Sequence, residues 1–303
     1  MEHIAWSKRT TALLILFVCI YDSLSEWTKD YSNDPRPVCP TDLDKKPLNN
    51  RIVGGTDAGR GTFPYAVGIL IAISSSKELR TDVSFCAGTL ITDVHILTAA
   101  HCLYRNQYLK DYLWVNVNDY DTNNRNETNN YIRKVQEIEI HPKYDDETFD
   151  NDIALLTIRN PIPLDEDVRA AILPPFGRSL DVGTICTVWG WGRTTYNGSR
   201  SSILQKVDLP ITSREECQKH LLHNVTENMM CAGGKEGHDA CLGDSGGTLL
   251  VRDGNVYSLA GIVSFGKGCA IKDVSGVYTN ISRYTDWIYE NTRSAACKPE
   301  ILQ

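Results

Sequence analysis

The sequence has no surplus of positive charge. Its 31 Lys and Arg are outnumbered by 38 Asp and Glu, giving a formal net charge of -7. Nothing in it would form the basic field that holds phosphates, so nucleic acid is excluded as the expected partner. Long apolar runs are also scarce: Ala12 to Ile20 is about half of the ~20 residues that cross a bilayer, which argues against a membrane span. No segment repeats at a fixed period, which argues against solenoids and propellers. Strand and helix patterns do not alternate, which argues against a parallel sheet. The cysteines do not fall into the paired C-x-x-C of a zinc ribbon, so no structural metal is expected, and His220 and His223 read as surface residues of a short helix.

What is present suits a secreted globular protein. Composition is ordinary, 42% hydrophobic and 23% charged. Lys8 and Arg9 precede the Ala12 to Ile20 run, and Ser23 and Ser25 supply the small residues of a cleavage site. Residues 1–25 are therefore read as a signal peptide, with a membrane anchor as the competing reading. Of ten cysteines, nine remain beyond Cys19, a number that points to an oxidising compartment and leaves at least one without an intramolecular partner. Sequons at Asn126, Asn197, Asn224 and Asn280 are candidate glycosylation sites, the last inside an apparent strand.

Residues 26–51, rich in Asp, Asn, Pro and Lys, cannot build a core and read as a propeptide. From residue 52 to 303 the pattern becomes short β-branched runs between Gly, Asn and Asp clusters, among them Val67–Ile73, Thr89–Leu97, Thr184–Trp189 and Val256–Val263. That is an all-β signature. Helices are few. Ser213-Arg-Glu-Glu216 is a capping box predicting a helix through Leu222, and Tyr284, Trp287 and Ile288 share a face of a C-terminal helix.

Three motifs carry chemistry. Gly243-Asp244-Ser245-Gly246-Gly247 sets a serine among glycines that let the backbone turn tightly and aim N–H groups at one point, making Ser245 a candidate nucleophile. Thr98-Ala99-Ala100-His101-Cys102 places a histidine after strand residues with small neighbours, a candidate base. Asn151-Asp152-Ile153-Ala154 puts an acid before an apolar strand, where an unpaired carboxylate would be costly, so a partner such as His101 is expected.

Together, in the order His, Asp, Ser, these motifs resemble the chymotrypsin family of serine proteases, and its trypsin-like members in particular, from Ile52 to about Asn291. The resemblance implies two perpendicular six-stranded β-barrels and a C-terminal helix, with His101 and Asp152 on the first barrel and Ser245 on the second. It implies an oxyanion hole from the N–H groups of Gly243 and Ser245. Asp239, six residues before Ser245, matches the base of the primary pocket, and Gly266 and Gly276 match its walls, implying cleavage after Arg or Lys. Ser264 would support Asp152 on the strand that pairs with substrate. Phe265, Leu242 and Ser275 depart from the usual residues at their positions and leave subsite preferences open.

Arg51-Ile52-Val53-Gly54-Gly55 resembles a zymogen cleavage site, with freed Ile52 pairing with Asp244 to order the pocket. The expected disulfides are Cys86–Cys102, Cys217–Cys231 and Cys241–Cys269. The family's partners for Cys39 and Cys186 are replaced by Ile172 and Val251. A Cys39–Cys297 bond is expected because the C-terminal helix of this fold packs near where a propeptide cysteine attaches, leaving Cys186 free or intermolecular. That tether favours a cascade or venom protease over a digestive one. Asp119, Asp121 and Glu127 lie where some relatives hold calcium, but asparagines crowd them, and a solvated loop is the default. No cofactor is expected. Partners are protein or peptide substrates, an activating protease and protein inhibitors. The alternative is a catalytically silent decoy on the same fold.

Overall fold

Two sets of strands, each too short to bury a face alone, close on themselves as antiparallel barrels and so leave few edges. The computed structural model describes residues 31, 33–41, 56–72, 84–124, 130–193, 198–236, 243–269 and 271–302. The expected signal peptide, most of the expected propeptide, Arg51, Ile52, Asp239, Cys241, Leu242, Glu127, Asn126 and Asn197 lie outside them. The first barrel comprises β2 (Ala66–Ile71), β3 (Cys86–Leu90), β4 (His95–Thr98), β5 (Leu113–Val117), β6 (Tyr131–Ile140) and β7 (Ala154–Ile158), closed in the order β2-β3-β4-β7-β6-β5. The second comprises β8 (Ile185–Gly190), β9 (Gln205–Thr212), β10 (Met229–Gly233), β11 (Thr248–Asp253), β12 (Val256–Phe265) and β13 (Ser275–Asn280). Its order is β9-β10-β13-β12-β11-β8, and β8 pairs back with β9 to close it. The short β1 (Thr56–Asp57) adds to the edge of β9.

Every residue of β3 is buried because both faces are covered. Ala87 N donates to Ser245 O (2.8 Å), and Thr89 Oγ1 meets Thr248 Oγ1 (2.9 Å) in the second barrel. A strand covered on both sides reads as a continuous buried run, not as an alternation. The predicted strand Thr89–Leu97 is in fact the end of β3, a turn over residues 91–94 and most of β4: Thr92 Oγ1 accepts from the N–H groups of Val94 and His95 (3.3 and 3.0 Å), the local bond by which a Thr-Asp pair reverses a chain.

The capping box is half formed. Glu216 N donates to Ser213 Oγ (3.1 Å), while the Glu216 carboxylate turns to Lys219 Nζ (2.5 Å). The helix, α1 (Arg214–Gln218), stops short of Leu222. The Gln218 side chain donates to His223 O (2.9 Å) and accepts from Val225 N (2.7 Å), folding the chain back on itself. His220 is half-buried just beyond this helix and His223 is exposed.

The C-terminal helix, α2 (Thr285–Asn291), buries Ile288 and is followed by a tail that runs beside the connection between the barrels. Leu173 N donates to Glu300 O (2.8 Å), and Leu302 N donates to Leu173 O (2.9 Å). Upstream residues join this tail and the connection beside it: Val38 bridges Lys298 and Cys39 is disulfide-bonded to Cys297, while Thr41 bridges Ala170 of the connection. These residues belong to the unit Arg36–Gln303; in the preceding unit, Met1–Pro35, Asp34 N donates to Tyr31 O (3.1 Å).

Candidate active site

β4 ends at Thr98, and a single 3-10 turn, Ala100–Cys102, follows. Ala99 and Ala100 are fully buried, and the Cys86–Cys102 disulfide ties this turn to β3 (Cα–Cα 6.3 Å). His101 is thereby held with its side chain 20% exposed. Asp152, two residues before β7, is fully buried. A bare charge there would cost several kcal/mol or be neutralised, and its bonding answers that cost. Oδ1 accepts from the backbone N–H of His101 (2.8 Å). Oδ2 accepts from His101 Nδ1 (2.7 Å) and from Ser264 Oγ (2.5 Å). With Nδ1 donating to the carboxylate, the tautomer leaves the Nε2 lone pair free.

Ser264 belongs to the second barrel. It lies at a bulge in the β12–β13 pairing, where Val263 faces Tyr278 and Phe265 faces Val277. The extra residue re-aims the side chain toward Asp152, a common use of bulges near sites. Thr279 of β13 reaches the same place, donating from Oγ1 to Asp152 O (2.7 Å).

Ser245 sits in a turn fixed from both barrels. Besides the Ala87 bond, Gly246 N donates to Val263 O (3.0 Å), Gly247 N to Asp244 O (2.8 Å), and Val263 N to Gly247 O (2.8 Å). Gly243 and Gly246 have φ of 109° and 79°. A Cβ on Gly246 would lie 2.3 Å from Thr98 Oγ1 and 2.4 Å from Ala87 O, so only glycine fits. Ser245 Oγ makes no hydrogen bond to His101; Nε2 lies 3.7 Å from Cys102 Sγ. Such bonds are often long in unliganded sites and tighten with substrate.

The buried Asp244 carboxylate accepts from Gly192 N (2.7 Å). It packs so closely on this strand end that a Cβ would fall 1.9 Å from Oδ1 at Gly190 and 2.5 Å at Gly192. Gly266 is exposed and Gly276 half-buried, and a Cβ on Gly266 would touch Gly276 Cα at 3.6 Å. Cys269 is disulfide-bonded, but its expected partner Cys241 lies outside the described residues, as does Asp239. Among the described residues, the His/Cys group within ligand reach is Cys86, His101 and Cys102. Both sulfurs are consumed by the disulfide, which removes the thiolates a metal would need.

Residues 52–288 match the family model described as Trypsin. The chain belongs to the trypsin family of serine proteases. Trypsin eta of Drosophila melanogaster is 38% identical to it over 248 residues, covering 81% of this chain and 90% of that protein.

In this trypsin-family chain the structure adds aromatic neighbours that sequence reading missed. Phe149, at a φ of 59°, sets its ring edge-on to His101 (centroids 5.9 Å) and meets Phe265 at 5.3 Å. A phenylalanine three residues before the acid was the available signal. Of the other expected positions, Cys217–Cys231 is bonded, and Cys186 is free and fully buried on β8 opposite Val251. Burial pushes its thiol up to about 12. Asn224 is exposed; Asn280 ends β13 with its Oδ1 accepting from Ser282 Oγ (2.9 Å). Asp119 Oδ2 accepts from Asn116 Nδ2 (2.7 Å), and Asp121 Oδ1 from Asn123 N (3.1 Å).

Proposed function

We propose that this chain is the secreted zymogen of an endopeptidase that cuts after Arg or Lys. The observation that carries the reading is the buried Asp152 carboxylate bonded to His101 at two points and to Ser264. A structure that satisfies a buried charge in this way holds one imidazole tautomer with Nε2 poised to take a proton. In the proposed reaction Nε2 takes the Ser245 hydroxyl proton as Oγ bonds to the scissile carbonyl carbon. The N–H groups of Gly243 and Ser245 receive the oxyanion. The C–N bond then breaks, and the imidazolium gives its proton to the leaving amine. Water, deprotonated by His101, releases the acyl group, and the proton returns to Ser245.

Asp239, which the resemblance matches to the base of the primary pocket with Gly266 and Gly276 as its walls, is the proposed source of the preference for a cation. Activation is proposed to follow cleavage after Arg51, with the Ile52 ammonium pairing with Asp244. Residues 1–25 are proposed as the signal peptide and 26–51 as the propeptide. The test uses small amides with Arg, Lys, Phe or Ala before the scissile bond, assayed before and after cleavage at Arg51, alongside labelling by a serine-directed phosphonate. Turnover of only the Arg and Lys amides, and only after cleavage, is expected. Hydrolysis of the Phe amide would overturn the pocket assignment. A freed Ile52 with neither turnover nor labelling would instead leave a silent binding protein.

A further inference from the structure

The segment from His141 to Asn151 connects β6 to β7 and delivers both Asp152 and Phe149. It contains two residues with positive φ that are not glycine, Phe149 (59°) and Asn151 (57°). Residues in this conformation persist only where the surroundings over-determine them, so something must hold this loop. Between the two lies Asp150, whose carboxylate gathers four hydrogen bonds. Oδ1 accepts from Thr226 Oγ1 (2.7 Å) and Asn228 Nδ2 (3.1 Å). Oδ2 accepts from Asn228 Nδ2 (3.2 Å) and Asn151 Nδ2 (3.1 Å). Thr226 and Asn228 belong to the second barrel, just before β10, and Asn228 O is itself fixed by Asn280 N at the end of β13 (2.9 Å).

The bonds around Asp150 lock the loop from within as well. Asp150 O accepts from Asp145 N (3.0 Å). Asn151 Nδ2 also donates to Lys143 O (2.9 Å), and its Oδ1 accepts from buried Tyr284 Oη (3.1 Å). A carboxylate that receives hydrogen bonds from the second barrel and from its own loop acts as a clamp two residues from the acid of the site, and charge-assisted bonds are about twice as strong as neutral ones.

We infer that Asp150 is a positioning residue: anchored on Thr226 and Asn228, it sets the alignment of Asp152 with His101 and of Phe149 against the imidazole ring. The inference rests on the proposed triad, and it adds a requirement that the first barrel's acid is registered against the second barrel through Asp150. Asp150 itself touches no reacting atom. Because a misplacement of about 1 Å can cost on the order of 100-fold in rate, releasing the clamp lowers kcat while binding of an Arg side chain, assigned above to Asp239 and not to this loop, is retained.

The experiment uses the full chain cleaved at Arg51. It compares wild type, Asp150→Ala and the second-barrel double variant Thr226→Val with Asn228→Ala. Two readouts are taken: kcat and KM on the Arg amide, and the low-field proton resonance of His101 Nδ1 in its bond to Asp152. Both variants are expected to lose about 10- to 100-fold in kcat with KM held within about twofold, and to shift or broaden that resonance. A wild-type kcat and resonance in either variant overturns the inference. So does a fall in kcat with the resonance unmoved, which would make the loop merely structural. Should Asp150→Ala fail to fold, the double variant decides. A wild-type protein that shows the resonance but hydrolyses no amide fails the proposed function, while the resonance still tests the clamp.

Discussion

At the residue scale the site is a matter of how one buried charge is satisfied. Asp152 has three side-chain bonds, and removing Ser264 Oγ leaves its Oδ2 with His101 alone. Hydrogen bonds to charged groups contribute about 1.5–3 kcal/mol, part of which aligns the imidazole. Ser264→Ala is therefore expected to lower kcat about tenfold with KM little changed, since the backbone of β12 is untouched; steady-state kinetics on the Arg amide measures it. His95 offers a pH test of stability. Its ring is buried on β4, with Nδ1 on Thr92 Oγ1 (2.8 Å) and Nε2 on Ser294 Oγ (3.2 Å). Burial first, and repulsion from Arg36 second, lower its pKa from 6.5 to about 4. Between those values the unfolded chain binds a proton that the folded one does not, so stability rises with pH across the window and is lost as pH falls from 6.5 toward 4. The loss is on the order of 3 kcal/mol. The Tm of His95→Gln is expected to fall less steeply than that of wild type over this window.

At the element scale, the approach of the two barrels decides which backbone can stand at the cleft. Gly246 turns at a φ of 79° with Thr98 and Ala87 of the first barrel directly over it. Gly246→Ala would insert a methyl group into backbone and side-chain atoms that cannot withdraw, and it would also strain φ. Activity should fall below detection in the amide assay, and the melting temperature should drop. Ala at Gly254, which also has positive φ (59°) but open space around it, serves as the control for strain alone. The bulge at Ser264 has the same meaning: an extra residue in β12, invisible as a pattern, turns a hydroxyl to the acid.

At the scale of the whole molecule, the segment upstream of the expected cleavage site is joined to the tail. Cys39 is bonded to Cys297, Cys39 N donates to Lys298 O (2.9 Å), and Lys298 N donates to Pro37 O (2.8 Å). Cleavage after Arg51 is therefore expected to yield two chains that run as one species on a non-reducing gel and separate on reduction. Cys297→Ser should release the short chain without reductant after denaturation. Two species from the wild-type protein without reductant would count against the tether.

The sequence by itself determined the family, the all-β class, the three motifs of the site and the positions of the turns around Ser245. Those depend on local chemistry: β-branched runs, glycines where the backbone must turn, an acid before an apolar strand. It did not reveal the break of Thr89–Leu97 into two strands, since the turn's Thr92-Asp93 pair is a two-residue interruption inside an otherwise aliphatic and β-branched run. Nor did it reveal the short α1, because a glutamine folding back onto His223 and Val225 overrides helix propensity. Ser264 was already expected beside Asp152 from the resemblance, but only the tertiary structure brought Thr279, Thr226 and Asn228 of the second barrel, and Tyr284 just before α2, to the Asp150–Asp152 segment of the first. It also set Phe149 against His101. The hydrogen bonds among these contacts join residues more than seventy positions apart; they follow from how two closed barrels meet, and no local pattern in the chain encodes that meeting.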